Sequence, residues 1–139
     1  MKVGFTGTRN GMTPKQKKQF KGLIEILRPT EFHHGDCVGA DDEAANIVDT
    51  WRTEWIDIFQ RRVEIIKHPP VKGKFQAHNP HYEEIRPEQP YLERNANIAL
   101  ECDLLIAAPK ENREEQRRGT WYTIREAWKR GKTTIILMP

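Results

Sequence analysis

Three short glycine-bearing segments, far apart in the chain, carry residue types suited to holding an anion. They are Gly7-Thr8-Arg9, Gly35-Asp36-Cys37-Val38-Gly39-Ala40-Asp41 and Gly119-Thr120-Trp121. Glycine lets a phosphate approach the backbone closely. A helix N-terminus adds unpaired N–H groups and a partial positive charge. Gly35, Gly39 and the helix opening at Ala40 offer one such site, and Gly119 with the Thr120 hydroxyl offers another. Gly7, Thr8 and Arg9 offer backbone donors, a hydroxyl and a guanidinium. Asp36 and Asp41 would repel phosphate. They are expected either to bond ribose hydroxyls, as acids do in dinucleotide sites, or to hold the turn. Trp121, beside Gly119-Thr120, could stack on a base. The spacing of His33, His34, Cys37, His68, His78 and His81 matches no zinc pattern. Adjacent His33 and His34 point to opposite faces of a strand. No metal and no cofactor is expected.

Alternating strands and helices would position these turns. Val3 and Phe5 mark a first strand over residues 2–6. Thr13-Pro14-Lys15-Gln16 then announces a helix with a capping box and proline at its first position. Phe20, Leu23, Ile24 and Leu27 give that helix its buried face. Glu31–His34 reads as a second strand. Ala40, Ala44, Ile47, Val48 and Trp51 keep a helical period, and Trp55, Ile58 and Phe59 continue it, in a helix that is long or broken near Thr53. Residues 62–67 read as a third strand. Residues 69–90 hold five prolines and no period, the pattern of a lid, a binding loop or a disordered loop, with an oligomer contact as a further role. Leu92, Ala96, Ala99 and Leu100 restore helical spacing. Residues 103–108, ended by Pro109, form an apolar run suited to a strand buried on both faces. Trp121, Ile124 and Trp128 mark a last helix, and residues 133–138 a last strand. Trp51, Trp55 and Trp128 read as core. The expected fold is one α/β Rossmann-like domain over residues 1–139, with a mainly parallel five-stranded sheet covered by helices on both faces. Ligands of such sheets bind beyond the carboxyl ends of the strands.

The 139 residues suit one domain, with 37% hydrophobic and 31% charged residues. The net charge of +3 is too small to indicate nucleic acid by itself. No apolar run approaches the roughly 20 residues of a membrane span, and the start reads as a strand, not a signal peptide. The two cysteines, Cys37 and Cys102, suggest reduced thiols and a cytoplasmic location.

With these residues in view, the chain resembles the SLOG superfamily of Rossmann-like domains, which bind nucleotides and nucleotide-derived ligands. The resemblance rests on Gly7-Thr8-Arg9, the 35–41 motif, Gly119-Thr120-Trp121-Tyr122-Thr123, and Arg94-Asn95 ahead of the Asp103–Ala107 run. It covers nearly the whole chain and is nearest to small stand-alone bacterial and phage members. The tail from Gly119 to Pro139 resembles the corresponding part of the DNA-processing protein A family.

The resemblance implies a ligand-binding set of Gly7, Thr8, Arg9, Gly35, Asp36, Gly39, Ala40, Asp41, Arg94, Asn95, Pro109, Gly119, Thr120 and Trp121. It also implies a homo-oligomer, and a sensor or sequestering role toward an NAD-derived, cyclic or oligonucleotide signal. Lonely-guy-type phosphoribohydrolases of this superfamily cleave nucleoside monophosphates. Their signature has two glycines before Gly-Thr and a catalytic Glu three residues after that Thr. Here Arg117 and Arg118 replace the glycines and Thr123 replaces the Glu. Glycosidic cleavage needs a carboxylate at the sugar, so a binder is expected ahead of a hydrolase. Asp36, Asp41 and Glu126 remain as candidate acids for a hydrolase. Single-stranded nucleic acid is a third candidate ligand, but the chain lacks an obvious basic and aromatic track.

Overall fold

A computed structural model describes residues 1–59 and 62–139, with side chains described outside 55–61. The side chains of Trp55, Ile58 and Phe59 therefore lie outside the described residues. The chain runs β1 (Lys2–Gly7), α1 (Pro14–Leu27), β2 (Glu31–His34), α2 (Ala40–Phe59), β3 (Glu64–Lys67), β4 (Glu84–Ile85), α3 (Tyr91–Glu101), β5 (Leu104–Ala108), α4 (Gly119–Lys129) and β6 (Thr133–Ile136). The helix α2 is a single long element with no break at Thr53.

The sheet is six-stranded and wholly parallel, in the order β4-β3-β2-β1-β5-β6. The expected five strands are thus corrected to six. The extra strand, Glu84–Ile85, lies inside the proline-rich stretch and pairs with Ile66 and Lys67 of β3. Two residues carry no period, which is why the pattern gave no sign of it. From β1 the chain winds outward to β4, then returns through α3 to place β5 on the other side of β1. Strand order reverses between β1 and β5, so a crevice opens beyond Gly7 and Ala108.

Two apolar clusters cover the sheet. Val3, Phe5 and Phe32 face α1 and α2 together with Leu104, Ile106 and Ala108 of β5. Leu105 and Ala107 of the same strand face α3 and α4, where Ile98, Trp121 and Ile124 pack. β5 is therefore buried on both faces, as its continuous apolar run requires. Phe5, Phe20 and Phe32 form an aromatic trio, with Phe5 edge-on to Phe20 at 5.1 Å between centroids.

The expected face of α3 is corrected. Leu92 and Leu100 are exposed, and the buried residues are Arg94, Asn95, Ile98 and Ala99. A polar pair inside the apolar phase moved the apparent period. Trp128 is likewise on the surface, whereas Trp51 is core. The capping box of α1 is present in full. Its Gln16 is also buried, and its Nε2 donates to the Pro109 carbonyl at 2.9 Å and the Leu137 carbonyl at 2.7 Å, tying the strand ends together.

Gly39 sits at φ +86°, and a methyl group there would overlap the Arg9 and Thr8 carbonyls. Both the dihedral and the space require glycine. Gly39→Ala should cost about 1–3 kcal/mol from backbone strain alone, read as a lower urea midpoint with unchanged slope.

Candidate functional site

The loop after β1 is fixed from several directions. The Thr8 N–H donates to the Ala108 carbonyl at 3.1 Å. The Thr8 carbonyl accepts from Gly11 N–H at 3.1 Å and from Ala40 N–H at 3.0 Å, and its hydroxyl accepts from Asn10 N–H at 3.2 Å. Gly7 is required by packing: a methyl group would lie 2.5 Å from the Ala40 methyl. Strand β1 and helix α2 therefore meet closely, and Arg9 is carried out over the sheet edge.

Arg9 lines a two-lobed cleft. The polar lobe, about 370 Å³, is lined by Gly7, Thr8 and Arg9, by Lys110, Arg117 and Arg118, and by Gly119 and Thr120, with Glu111 as its one carboxylate. Glu111 is tied to Arg118 at 3.2 Å. Helix α4 opens into this lobe, and its N-cap Arg118 gives no side-chain capping bond. The first-turn amides therefore point at a cationic pocket, the arrangement that binds phosphate elsewhere. At Gly119 a methyl group would meet the Tyr91 hydroxyl, the far end of a half-exposed side chain that would have to swing aside. The second lobe, about 280 Å³, is mainly apolar and is lined by Pro70, Val71, Pro90 and Cys37. Arg9, Phe75 and Tyr91 border both lobes. The Arg9 guanidinium lies 3.9 Å from the Phe75 ring centroid, a cation–π contact that holds both side chains at the lip.

The proline-rich stretch forms the wall of the second lobe. Val38 N–H donates to the Phe75 carbonyl at 2.8 Å, and Val71 N–H to the Gln89 carbonyl at 3.0 Å. Phe75, Tyr91 and Lys110 were not singled out from the sequence. Signals for them existed: aromatic residues in or just after a proline-rich stretch, and a lysine immediately beyond the carboxyl end of a strand next to the reversal of strand order.

The 35–41 motif lies beside this cleft and mostly behind it. The Asp41 carboxylate accepts from Gly35 N–H at 3.2 Å and Cys37 N–H at 3.3 Å, so the concavity of the turn already holds an anion of the protein itself. Asp36 is fully buried and pairs with Lys67 at 2.8 Å, while accepting from Asn79 N–H at 3.0 Å. Of the two roles expected for these acids, the geometry is that of holding the turn. Arg94 is also buried, and it donates to the Gly35 carbonyl, the His68 carbonyl and Asn95 Oδ1. Gly35 has no room for a side chain because the Arg94 guanidinium and Asp41 press on it. Arg94 and Asn95 thus brace the motif from behind and do not line the cleft.

Trp121 is 3% exposed in the α3–α4 cluster, so its ring offers no face to a base. Pro109 is buried and contributes its carbonyl to Gln16. Glu126 pairs with Arg130 at 2.5 Å, a hydrogen bond that holds its carboxyl below the usual range, and it lies outside the cleft lining. Thr123 is buried, and its hydroxyl donates to the Gly119 carbonyl at 2.9 Å.

Three solved structures share this fold. The molybdenum cofactor binding protein of the phototrophic bacterium Rippkaea orientalis aligns with a TM-score of 0.70 at 19% identity, over 99% of this chain and 76% of that one. The structural-genomics target TM1055 aligns at 0.62 and 13% identity, over 96% and 72%. DNA processing protein A (DprA) of Streptococcus pneumoniae aligns at 0.66 and 18% identity, over 97% of this chain and 49% of that one, so the chain spans about half of DprA. No protein-family model and no curated protein matches the chain. The class is therefore set by architecture alone: an α/β Rossmann-like domain. Among the described residues, no helix is long and apolar enough to cross a membrane. Cys37 and Cys102 are both free and buried.

Two predictions follow from the motif's electrostatics. Asp36→Asn keeps a residue tolerant of the φ of 53° found there, but leaves Lys67 charged and buried without its counter-charge. The loss should be about 3–5 kcal/mol by urea unfolding. The second concerns pH. Burial lowers the pKa of His34 to about 4, from an ordinary 6.5. This group's contribution is complete above pH 6.5 and is lost as pH falls toward 4. Burial raises Asp41 from 3.8 to about 6, against the opposing pull of Arg94. That contribution has the reverse sign: it is complete below 3.8 and is lost as pH rises through 6. The two oppose each other across most of the window. Asp41→Asn should therefore steepen the loss of stability between pH 6.5 and 4, measured by urea midpoints at half-unit steps.

Proposed function

We propose that the protein binds a phosphorylated nucleoside or nucleotide-derived ligand in the two-lobed cleft, as a sensor or sequestering protein. The observation that carries this reading is the junction of a cationic pocket at an uncapped helix N-terminus with an apolar recess, Arg9 bordering both. Phosphate in the polar lobe would meet the first-turn amides of α4, the Thr120 hydroxyl and the guanidinium groups of Arg9 and Arg117. Arginine suits phosphate because its planar fork makes paired, charge-assisted bonds. The less polar part of the ligand would lie against Phe75, Tyr91 and Val71.

Binding without cleavage is favoured by the local chemistry. At the position where phosphoribohydrolases carry their Glu, Thr123 is turned back onto its own helix. Among the described residues, the cleft's one carboxylate is held by Arg118. Asp36, Asp41 and Glu126 are engaged elsewhere in the protein. Arg117 and Arg118, which replace the signature's glycines, add charge where a polyanionic ligand would gain from it. That one protein of this fold is described as a cofactor binder supports a ligand-holding role.

A panel of mono-, di-, cyclic and dinucleotides should contain a compound that raises the melting temperature and is recovered intact after denaturation. Arg9→Ala should weaken its binding by about 10–100-fold, the worth of a hydrogen bond to a charged group. Gly119→Trp, which fills the pocket, should abolish the shift. Release of a free base or ribose phosphate would instead support the hydrolase. Affinity only for single-stranded nucleic acid, falling steeply with salt, would support a nucleic-acid protein.

A further inference from the structure

On the α3 side of the sheet, away from the cleft, two histidines and a glutamate converge. His33 is the third residue of β2, His68 follows β3, and Glu101 ends α3. We propose that His33, His68 and Glu101 form a binding site for one borderline divalent cation of the Zn²⁺ type, with Glu31 orienting His33.

The donor atoms already lie at coordination spacing. His33 Nδ1 is 2.9 Å from His68 Nε2 and 3.4 Å from Glu101 Oε2, and His68 Nε2 is 3.7 Å from the same oxygen. For metal–ligand bonds of about 2.05 Å, the edges of a tetrahedron are about 3.3 Å. The observed triangle brackets that value, and the imidazole pair need open by only about 0.4 Å to reach it. Two imidazoles and a carboxylate are the donor set that borderline cations such as Zn²⁺ take, and one that Ca²⁺ or Mg²⁺ avoids. The far nitrogen of His33, Nε2, lies 2.9 Å from Glu31 Oε2. A carboxylate on the distal nitrogen fixes the tautomer and turns the other lone pair toward the metal. Here it would leave Nδ1 facing His68 and Glu101.

There is also room and access for a fourth ligand. A hollow of about 100 Å³ beside His68 and Glu101 is bordered also by Arg86, Arg94 and Asn97, and His33 stands behind it. A water molecule occupies about 30 Å³ in the liquid, so the hollow accommodates one. The Glu101 side chain is 32% exposed, which opens a path from solvent to imidazoles that are almost wholly buried. Two guanidinium groups border the hollow: Arg94 is engaged by the Gly35 and His68 carbonyls, and Arg86 is the cation that competes for Glu101. Its Nη2 lies 3.1 Å from Glu101 Oε2 and its Nε 3.3 Å from Oε1. Without a metal it balances this carboxylate; with one, it would have to share it. The cleft and this hollow have no lining residue in common, so the inference does not depend on the cleft's ligand.

The test uses the full chain after chelator treatment, titrated with zinc chloride by calorimetry and with cobalt chloride by visible absorption. One equivalent should bind, and the cobalt form should show the intense d–d bands of a four- or five-coordinate centre that zinc displaces. His68→Gln and Glu101→Gln should lose this equivalent. Glu31→Gln should weaken it by about 10–100-fold, as removal of an outer-shell carboxylate does. Arg86→Gln should tighten it. Replacing His78 or His81, which lie elsewhere on the chain, should change nothing. Absence of a bound equivalent in the unaltered protein overturns the inference. So does binding that survives both His68→Gln and Glu101→Gln, or binding lost with His78 or His81, which would mark an adventitious surface ion. The cobalt spectrum of the unaltered chain and the Arg86→Gln variant keep the test decisive if a buried-residue variant fails to fold.

Discussion

The bond from Ala40 N–H to the Thr8 carbonyl is the constraint on which the rest of the site depends. It joins the first turn of α2 to the loop after β1, and it forms only because Gly7 and Gly39 let the two backbones meet. With Thr8 also held by the Ala108 carbonyl, Arg9 has a fixed root at the reversal of strand order. The cation–π contact with Phe75 then sets its outer end. A cationic side chain anchored at both ends would lose little freedom on meeting an anion, so less of the interaction energy would go to ordering it.

Two of the helix N-termini at the carboxyl edge of the sheet, those of α2 and α4, have divided roles. That of α2 is occupied by the protein: the Thr8 carbonyl takes one amide, and Asp41 in its first turn bonds the preceding loop. That of α4 has no side-chain cap and faces Arg9, Lys110 and Arg117. The buried ions behind the motif, Asp36 with Lys67 and Arg94 with its carbonyl acceptors, lock the turn that supports Arg9. Replacing such a buried pair whole is often neutral to stability, whereas removing one partner is costly.

Much of the fold was legible in the sequence because its signals are local. Thr13, Pro14 and Gln16 announce α1, and the unbroken Leu104–Ala108 run announces a strand buried twice over. The phase of α3 was not legible, because Arg94 and Asn95 occupy its inner face and a hydrophobicity pattern assigns such residues to solvent. β4 escaped for want of length. At the sheet edge, residue type marked turns that the fold brings near one another, but not what each of them contacts. Whether a glycine faces a phosphate or a neighbouring helix depends on partners distant in the chain, as Gly39 and Arg9 show. The same holds for His33, His68 and Glu101, whose convergence is created by the crossover through α3 and leaves no spacing to read.

The most direct measurement is an amide chemical-shift titration of the labelled protein with a nucleoside phosphate that it binds. The largest changes should fall on Thr8, Arg9, Gly119 and Thr120, with Gly35, Asp36 and Asp41 moving little. Largest changes at Gly35–Asp41, with Gly119 and Thr120 still, would place the anion at the other helix and contradict the division of roles described above.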